Sequence, residues 1–442
     1  MFQSTLWRSF LSRSSHPLLP HLGPAARRHG LAGSVVLASS GACKVGSRSY
    51  YSDWIDYEWF SSDGSDDDSG ADASDPEPTS NDARIWLAPL LQRWHLYLGV
   101  DDWSKGFSLH KLDLLDEGKR GRQPQSNQIR RLPPPAMRLE FPKKRTIPPL
   151  VAIGNKIIAC TEMEDGITAI YNTRSGAQTM ARCHPNVLYY NRWQAAMVAD
   201  DTLYAFISGD TGHNYCSTSD EQIGSTGGMY CLENVSNLGR DIKEVSWKTD
   251  PFPLPFKLEN GCGEVTSYAV PPGGKTIFVS VNNTDTYSYH TKKREWMSLG
   301  TWSLPFTGHA YYDDELEAWV GYSRHRGVWK IGCCDVPSTV DGSYTTAPSW
   351  KMCKEIMSSL QSCLDFEVVN MGGGWFCLVE SLPYKGKQKR DGLVDNNELR
   401  VTLFRARYDK NGELTIRDRQ SICSYGLYRC RRYPFNLKAF LI

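Results

Sequence analysis

The chain is 442 residues long with a formal net charge of +1, and it carries 14 Trp, 22 Tyr and 15 Phe beside 37 Gly and 24 Pro. So balanced a charge gives no global field for nucleic acid or an anionic membrane, and no run of about 18 apolar residues offers a membrane-spanning helix. Aromatic residues among many glycines and prolines point to short strands joined by turns, with length for one large domain or two or three ordinary ones.

Residues 1–52 contain no Asp or Glu and carry Arg8, Arg13, Arg27, Arg28, Lys44 and Arg48 among Ser, Leu and Ala. A basic, Ser-rich, acid-poor segment of this kind is expected to be an organelle transit peptide. The stretch Arg48-Ser49-Tyr50-Tyr51-Ser52 resembles a matrix-protease site, with Arg two before an aromatic. The expected address is mitochondrial, with the plastid as the alternative, or the cytoplasm and nucleus if the segment is only a tail. A secretory signal fits poorly, because the apolar run at 31–38 is short and far from the start. Residues 53–83 then form an acidic segment that includes Asp66-Asp67-Asp68. Such a run repels itself and buries no core, so a disordered linker is expected, with an acidic docking tail as the functional alternative.

From residue 84 the chain turns apolar and aromatic. WHLYLG at 94–99 and FSLHKLDLL at 107–115 alternate with period two, as half-buried strands do. Between Lys119 and Arg145 lies a basic stretch with Arg120, Arg122, Arg130, Arg131, Arg138, Lys143 and Lys144, broken by Pro133-Pro134-Pro135. Proline at this density excludes a helix, and the stretch has no interleaved aromatics for base stacking. It reads as an exposed inter-strand loop, and no nucleic-acid partner is expected.

From residue 147 a four-strand pattern recurs in five units. Its strands fall at 149–153, 156–161, 167–172 and 178–183; at 193–199, 202–208, 228–232 and 245–248; at 265–270, 276–281, 285–290 and 295–299; at 309–312, 316–322, 328–334 and 349–353; and at 366–371, 375–380, 400–405 and 414–417. Tandem four-stranded units are the signature of a β-propeller. One unit cannot cover both faces of its own sheet, whereas stacking neighbours around an axis buries both. Segments 94–99 and 107–115 supply the second and third strands of a further unit that lacks a first, and PFNLKAFLI at 434–442 is an apolar strand with nothing after it. The expected fold is therefore all-β: a six-bladed β-propeller over 84–442, its ring closed by strand 434–442 joining the N-terminal blade, behind a disordered N-terminal region.

The block Trp302-Ser303-Leu304-Pro305-Phe306-Thr307-Gly308, W-x-L-P-F-x-G, is followed by Glu315-Leu316-Glu317-Ala318-Trp319-Val320-Gly321, E-L-x-x-W-x-G. These motifs resemble the grass-expanded plant family catalogued as domain of unknown function 1668, and the resemblance runs from about residue 96 to the end. It implies a monocot source and a Kelch-like propeller. It implies no established activity, so no catalytic residue carries over. The glycine pairs Gly227-Gly228, Gly273-Gly274 and Gly372-Gly373 lack the regular Kelch spacing to Tyr and Trp. No F-box-like helical pair precedes them, which counts against a ubiquitin-ligase adaptor.

The chain contains no G-x-S-x-G, no H-E-x-x-H and no EF-hand loop. Gly273-Gly274-Lys275-Thr276 ends like a phosphate loop, but Ala269 stands where the first glycine belongs and a strand follows, so it reads as a hairpin turn. His213, Cys216 and Asp220 are too few for a metal site and lie in a Gly/Ser/Thr-rich loop. The 13 cysteines are scattered without a C-x-x-C pair and read as buried thiols. Asn234-Val235-Ser236 and Asn282-Asn283-Thr284 are formal glycosylation sequons that matter only in a secreted chain.

Two functions remain. The first is a noncatalytic scaffold that binds an unidentified protein or peptide through loops at 213–228, 323–327 and 385–397. The second is a propeller enzyme, a metal-dependent lactonase or esterase, whose cation would need inner-strand groups such as Asn155, Glu264, His309, Glu367 and Asn370. Those residues do not form a coherent ligand set. The scaffold is the favoured reading, with no catalytic, cofactor-binding or metal-binding residue assigned and no cofactor expected.

Overall fold

The computed structural model describes residues 94–442 apart from 104–105, 115–128, 141–149, 161–166, 183–191, 209–226, 234, 236–246, 250–252, 259–262, 326, 338–345, 360–364, 384–395 and 429–436. The expected transit peptide, the acidic linker, and most of the loops 213–228 and 385–397 lie outside these residues.

The elements of regular structure are strands, and most fall into antiparallel four-stranded meanders. The first sheet holds β1 (His95–Trp103), β2 (Gly106–Asp113) and, beyond a short β3 (Arg130–Arg131), β4 (Pro135–Glu140). The second is β5 (Leu150–Ile153), β6 (Lys156–Cys160), β7 (Ile167–Asn172) and β8 (Gln178–Arg182). The third is β9 (Arg192–Ala199), β10 (Thr202–Ser208), β11 (Gly228–Leu232) and β12 (Lys248–Thr249). A fourth meander, β13 (Val265–Ala269), β14 (Thr276–Val281), β15 (Asp285–His290) and β16 (Glu295–Gly300), is joined to a fifth, β17 (Gly308–Asp313), β18 (Ala318–His325), β19 (Val328–Cys334) and β20 (Trp350–Met352), with β21 (Ser358–Ser359) also on β19. The joint is a parallel pairing of β13 with β17, Tyr268 opposite His309, so the two meanders form one nine-stranded sheet. The last sheet is β22 (Asp365–Gly372), β23 (Trp375–Pro383), β24 (Asn396–Tyr408) and β25 (Leu414–Tyr428), and β26 (Lys438–Leu441) returns to the first sheet. There it lies antiparallel to β1, Leu96 opposite Leu441 and Gly99 opposite Lys438, with paired His95 and Ile442 backbone bonds of 3.0 Å extending the ladder.

The hydrophobic pattern explains these sheets. Middle strands such as β14, TIFVSV, are apolar on both faces and buried on both, because each sheet is covered on two sides. Outer strands alternate: in β4, Met137 and Leu139 are buried while Arg138 and Glu140 are exposed. The apolar cores lie between successive sheets. Leu109, Ile157 and Tyr171 join first to second; Ile158, Leu203 and Trp247 second to third; Phe206, Ile277 and Tyr289 third to fourth. Phe278, Trp302 and Trp319 join fourth to fifth, and Ile331, Phe376 and Phe404 fifth to last. Leu96 and Leu98 pack with Val379, Val401, Leu437 and Ala439, joining the last sheet to the first. Polar ties reinforce the same junctions: buried Trp247 donates Nε1–H to Thr168 Oγ1 at 2.9 Å, and Gln194 takes the Val265 N–H and donates to the Gly263 carbonyl.

Turn chemistry sets the registers. Asp200 and Asp201, at φ 46° and 58°, make the two-residue turn that pairs Ala199 with Thr202, the left-handed geometry that short polar side chains tolerate. Gly273-Gly274 is the expected hairpin turn, with the Gly274 N–H on the Pro271 carbonyl at 3.1 Å. The described cysteines Cys231, Cys333, Cys334, Cys353, Cys377 and Cys423 are free and buried, as expected of structural thiols.

The structure corrects three local expectations. The basic stretch 119–145 is not only a loop: Pro135 opens the edge strand β4, a position where a missing N–H costs no ladder bond, and Arg130–Arg131 pairs in parallel with Tyr425 and Gly426 of β25. The basic turn at 323–327 is shorter than expected, since β18 runs on to His325. The final hairpin is longer, because β25 continues past Arg417 through a bulge at which Asp418 takes φ 52°.

Candidate functional site

Four strands from three sheets bring polar residues together. β13 supplies Tyr268, β17 supplies His309 and Tyr311, β22 supplies Asp365 and Glu367, and β26 supplies Lys438. The two-residue spacings put His309 with Tyr311, and Asp365 with Glu367, on common strand faces. Tyr322 of β18 reaches the same place; a Cβ on Gly308, which sits at φ 75°, would come within 3.2 Å of its hydroxyl.

Two contacts bind β26 to β22 here. The Lys438 ammonium pairs with the Glu367 carboxylate, and the Leu437 N–H donates to Asp365 Oδ2 at 2.6 Å. The Phe366 N–H donates to the other oxygen, Asp365 Oδ1, at 2.9 Å. The rings form a wall: Tyr268 and His309 stack with centroids 5.0 Å apart at 14°, and Tyr311 lies 4.1 Å from His309 at 53°.

Enclosure controls the protonation of these groups. Burial, and then the Lys438 charge, push His309 down to about 4. Burial raises the Tyr268, Tyr311 and Tyr322 phenols, so all three stay protonated. Desolvation works against the Lys438 ammonium, yet the Glu367 carboxylate and nearby phenols outweigh it and hold the proton more tightly than usual. Burial pushes Asp365 up to about 7; the Leu437 N–H opposes that rise and the Glu367 charge adds to it.

These shifts give stability two opposed pH slopes. Between about pH 4 and 6.5 the unfolded chain holds a proton on His309 that the native state lacks, so that stability is present above the window and lost as pH falls through it. Asp365 acts in reverse: from about 3.8 to 7 the native state holds the extra proton, so its contribution is present at low pH and lost as pH rises. Because the two slopes nearly cancel, Asp365→Asn should make stability rise more with pH across this range than it does in the unsubstituted chain, and His309→Asn should shift the slope toward a fall. Urea denaturation of the three proteins at several pH values measures the slopes; three equal slopes would contradict both assignments.

Of the inner-strand residues considered for a cation, His309 and Glu367 both lie near the Lys438 charge, Glu367 in direct contact with it. Asn155 donates to Asn172 Oδ1 in the β6–β7 hairpin, and the Glu264 N–H is held by Asn282 Oδ1. Asn370 donates to the Tyr312 carbonyl at 2.8 Å and so ties the last sheet to the fifth meander. His213, Cys216 and Asp220 lie outside the described residues. Among the described residues no group of three His, Cys, Asp or Glu side chains is placed to hold a metal ion. Sequence reasoning missed Tyr268, Tyr311, Tyr322, Asp365 and Lys438. The available signal was polar residues interrupting inner strands at period two.

A second recess of about 320 Å³ lies between the third sheet and the fourth meander, beside Asp200, Tyr204, Glu233, Tyr289 and Arg294. There Glu233 takes Lys248 at 2.7 Å and Arg294 at 3.0 Å, and the Lys248 hydrogen bond is the main force holding this carboxyl below its ordinary range.

Four-stranded meanders, each packed face to face on its neighbours, with polar groups gathered at the inner edges, define an all-β, propeller-like protein. Within that class, the chain belongs to the family described as "Protein of unknown function (DUF1668)", which matches residues 93–425. No curated protein matches the chain. Solved structures with similar folds include a candidate 6-phosphogluconolactonase of Bacteroides uniformis, at 14% identity and a TM-score of 0.41 over 74% of this chain and 83% of that one. The β-propeller domain of Cps50 (Swd1) from Myceliophteria thermophila is 11% identical, with a TM-score of 0.38 over 72% and 80% of the two chains. The WD40 repeats of RRP9 are 9% identical, with a TM-score of 0.32 over 62% and 78%.

Proposed function

We propose that the protein is a noncatalytic interaction scaffold built as a closed six-bladed propeller. Closure is supported by β26, which pairs with β1 of the first sheet while Leu437 and Lys438 bind β22 of the last. The packing of Leu96 and Leu98 against Val379 and Val401 supports the same junction. The observation that carries the noncatalytic reading is the commitment of the inner-edge carboxylates. Glu367 holds the Lys438 ammonium, and both Asp365 oxygens accept backbone N–H bonds. A hydrolase of the metal-dependent kind needs such oxygens for its cation.

The test has two arms. Proximity labelling in intact cells should yield a discrete partner that is lost when loops 323–327 or 385–397 are replaced. Titration of the purified protein with calcium, magnesium and manganese, with lactone and ester substrates, should give neither binding at Glu367 nor turnover. Saturable cation binding or hydrolysis abolished by Glu367→Gln would replace the scaffold with the enzyme. Residues 1–52 are proposed to carry a mitochondrial address: fused to a fluorescent protein they should direct it to mitochondria, and a plastid or diffuse signal would refute that address.

A further inference from the structure

The inner-edge cluster holds polar atoms that no described residue uses. The hydroxyls of Tyr268, Tyr311 and Tyr322 and the ring nitrogens of His309 make no hydrogen bond to any described residue, and all four residues are only half-buried, so these atoms remain open to solvent or to a guest. They are also reachable. The Lys438 side chain is 43% exposed and Glu367 15%, although desolvation is the strongest single effect on Lys438 and on all three phenols. These half-buried groups thus form one polar and aromatic wall that a small molecule can reach.

The chemistry of that wall narrows what fits. Lys438 and Glu367 cancel each other, so an added anion meets the carboxylate and an added cation meets the ammonium. An apolar guest would displace water from the phenols and imidazole and leave them unpaired, which is unfavourable. Phenol and neutral imidazole can each donate and accept, which matches hydroxyl groups that do both. The stacked Tyr268 and His309 rings, with Tyr311 tilted against His309, add an aromatic wall against which C–H faces can lie.

We propose that this wall binds an uncharged, hydroxyl-rich solute, its hydroxyls bonded to Tyr311, Tyr322, His309 and the Lys438–Glu367 pair and its carbon face against the Tyr268–His309 rings.

The test uses the full chain, titrated calorimetrically and by ligand-observed NMR with D-glucose, D-galactose, D-mannose and myo-inositol, and with inorganic phosphate and calcium as ionic controls. At least one neutral probe should bind saturably. Tyr311→Phe and Tyr322→Phe, which keep the ring and remove only the hydroxyl, should each weaken it about tenfold, the equivalent of one lost hydrogen bond. Circular dichroism of each variant confirms the fold, and if one variant fails to fold the other decides. Four silent neutral probes, unchanged affinity in a folded variant, or preferential phosphate or calcium binding would each overturn the proposal. Failure here leaves the scaffold standing, because partner loss is read from loop replacements and not from Tyr311.

Discussion

A chain ending at residue 436 should fail to fold cooperatively. Residues 437–442 supply β26, which fills the edge beside β1, and they place Leu437 and Ala439 in the core shared by the first and last sheets. Their loss opens that core, strips a row of ladder bonds from β1, and leaves Asp365 and Glu367 without Leu437 and Lys438. An open edge with a bared apolar face is also an aggregation surface. A milder variant isolates the ion pair. Lys438→Met keeps the strand and leaves Glu367 uncompensated. Breaking a buried pair costs about 3–5 kcal/mol, and the partial exposure of Lys438 lowers this to about 1–3 kcal/mol. Adding Glu367→Gln to Lys438→Met should recover much of the loss, because the stranded charge is then gone. Chemical denaturation of the four proteins measures this cycle. A truncated chain with a native midpoint would show that β26 is an ornament, and additive single effects would show that the pair is not coupled.

The meanders were legible because their middle strands are buried on both faces. TIFVSV, TLYAFIS and WFCLVE are unbroken apolar runs between turn residues, and β14, β10 and β23 stand on them. The pairing of the C-terminal strand with the segment after Trp94 was legible by subtraction, as two strands and one strand each lacking neighbours. Edges were harder. Pro133-Pro134-Pro135 and the basic residues around them hid β4, whose only apolar signal is Met137 and Leu139. Asp418 hid the second half of β25, because the bulge it forms breaks the alternation. The inner-edge cluster was the least legible. Tyr268 and Lys438 are 170 positions apart in the chain, and only the strand pairings that return β26 beside β22 bring them together. His309 and Glu367 could be suspected singly, but the Lys438 ammonium that decides their chemistry is a lone basic residue in an apolar tail.

Asp313→Ala should cost about 3–5 kcal/mol, although Asp313 opens the run Asp313-Asp314-Glu315, a composition common on solvated surfaces. Its side chain is fully buried. Oδ1 accepts the N–H groups of Glu315 and Leu316 at 3.1 Å, which shapes the loop between β17 and β18. The Gly374 N–H, from the turn between β22 and β23, reaches the same carboxylate at 3.1 Å. One carboxylate thus closes a turn in the fifth meander and ties it to the last sheet. Alanine would strand two buried donors, on Leu316 and Gly374, and release a partly buried third on Glu315; each buried donor costs about 1–3 kcal/mol less whatever relaxation restores. Its neighbour Asp314 is exposed, so Asp314→Ala should change stability by no more than about 0.5 kcal/mol. The receiving end is equally constrained. Gly374 sits at φ 71°, and a Cβ there would lie 2.8 Å from the Ala406 carbonyl oxygen, so Gly374→Ala meets both backbone strain and a clash. Glu315 adds an outer tie, its Oε1 taking Arg405 at 2.7 Å, but Arg405→Lys keeps a charge there and should cost far less than loss of Asp313. Urea midpoints for Asp313→Ala, Asp314→Ala and Gly374→Ala separate these roles. Equal effects at 313 and 314 would mean that the acidic turn is the solvated surface its composition suggests, and the junction between fifth meander and last sheet would then rest on its apolar core alone.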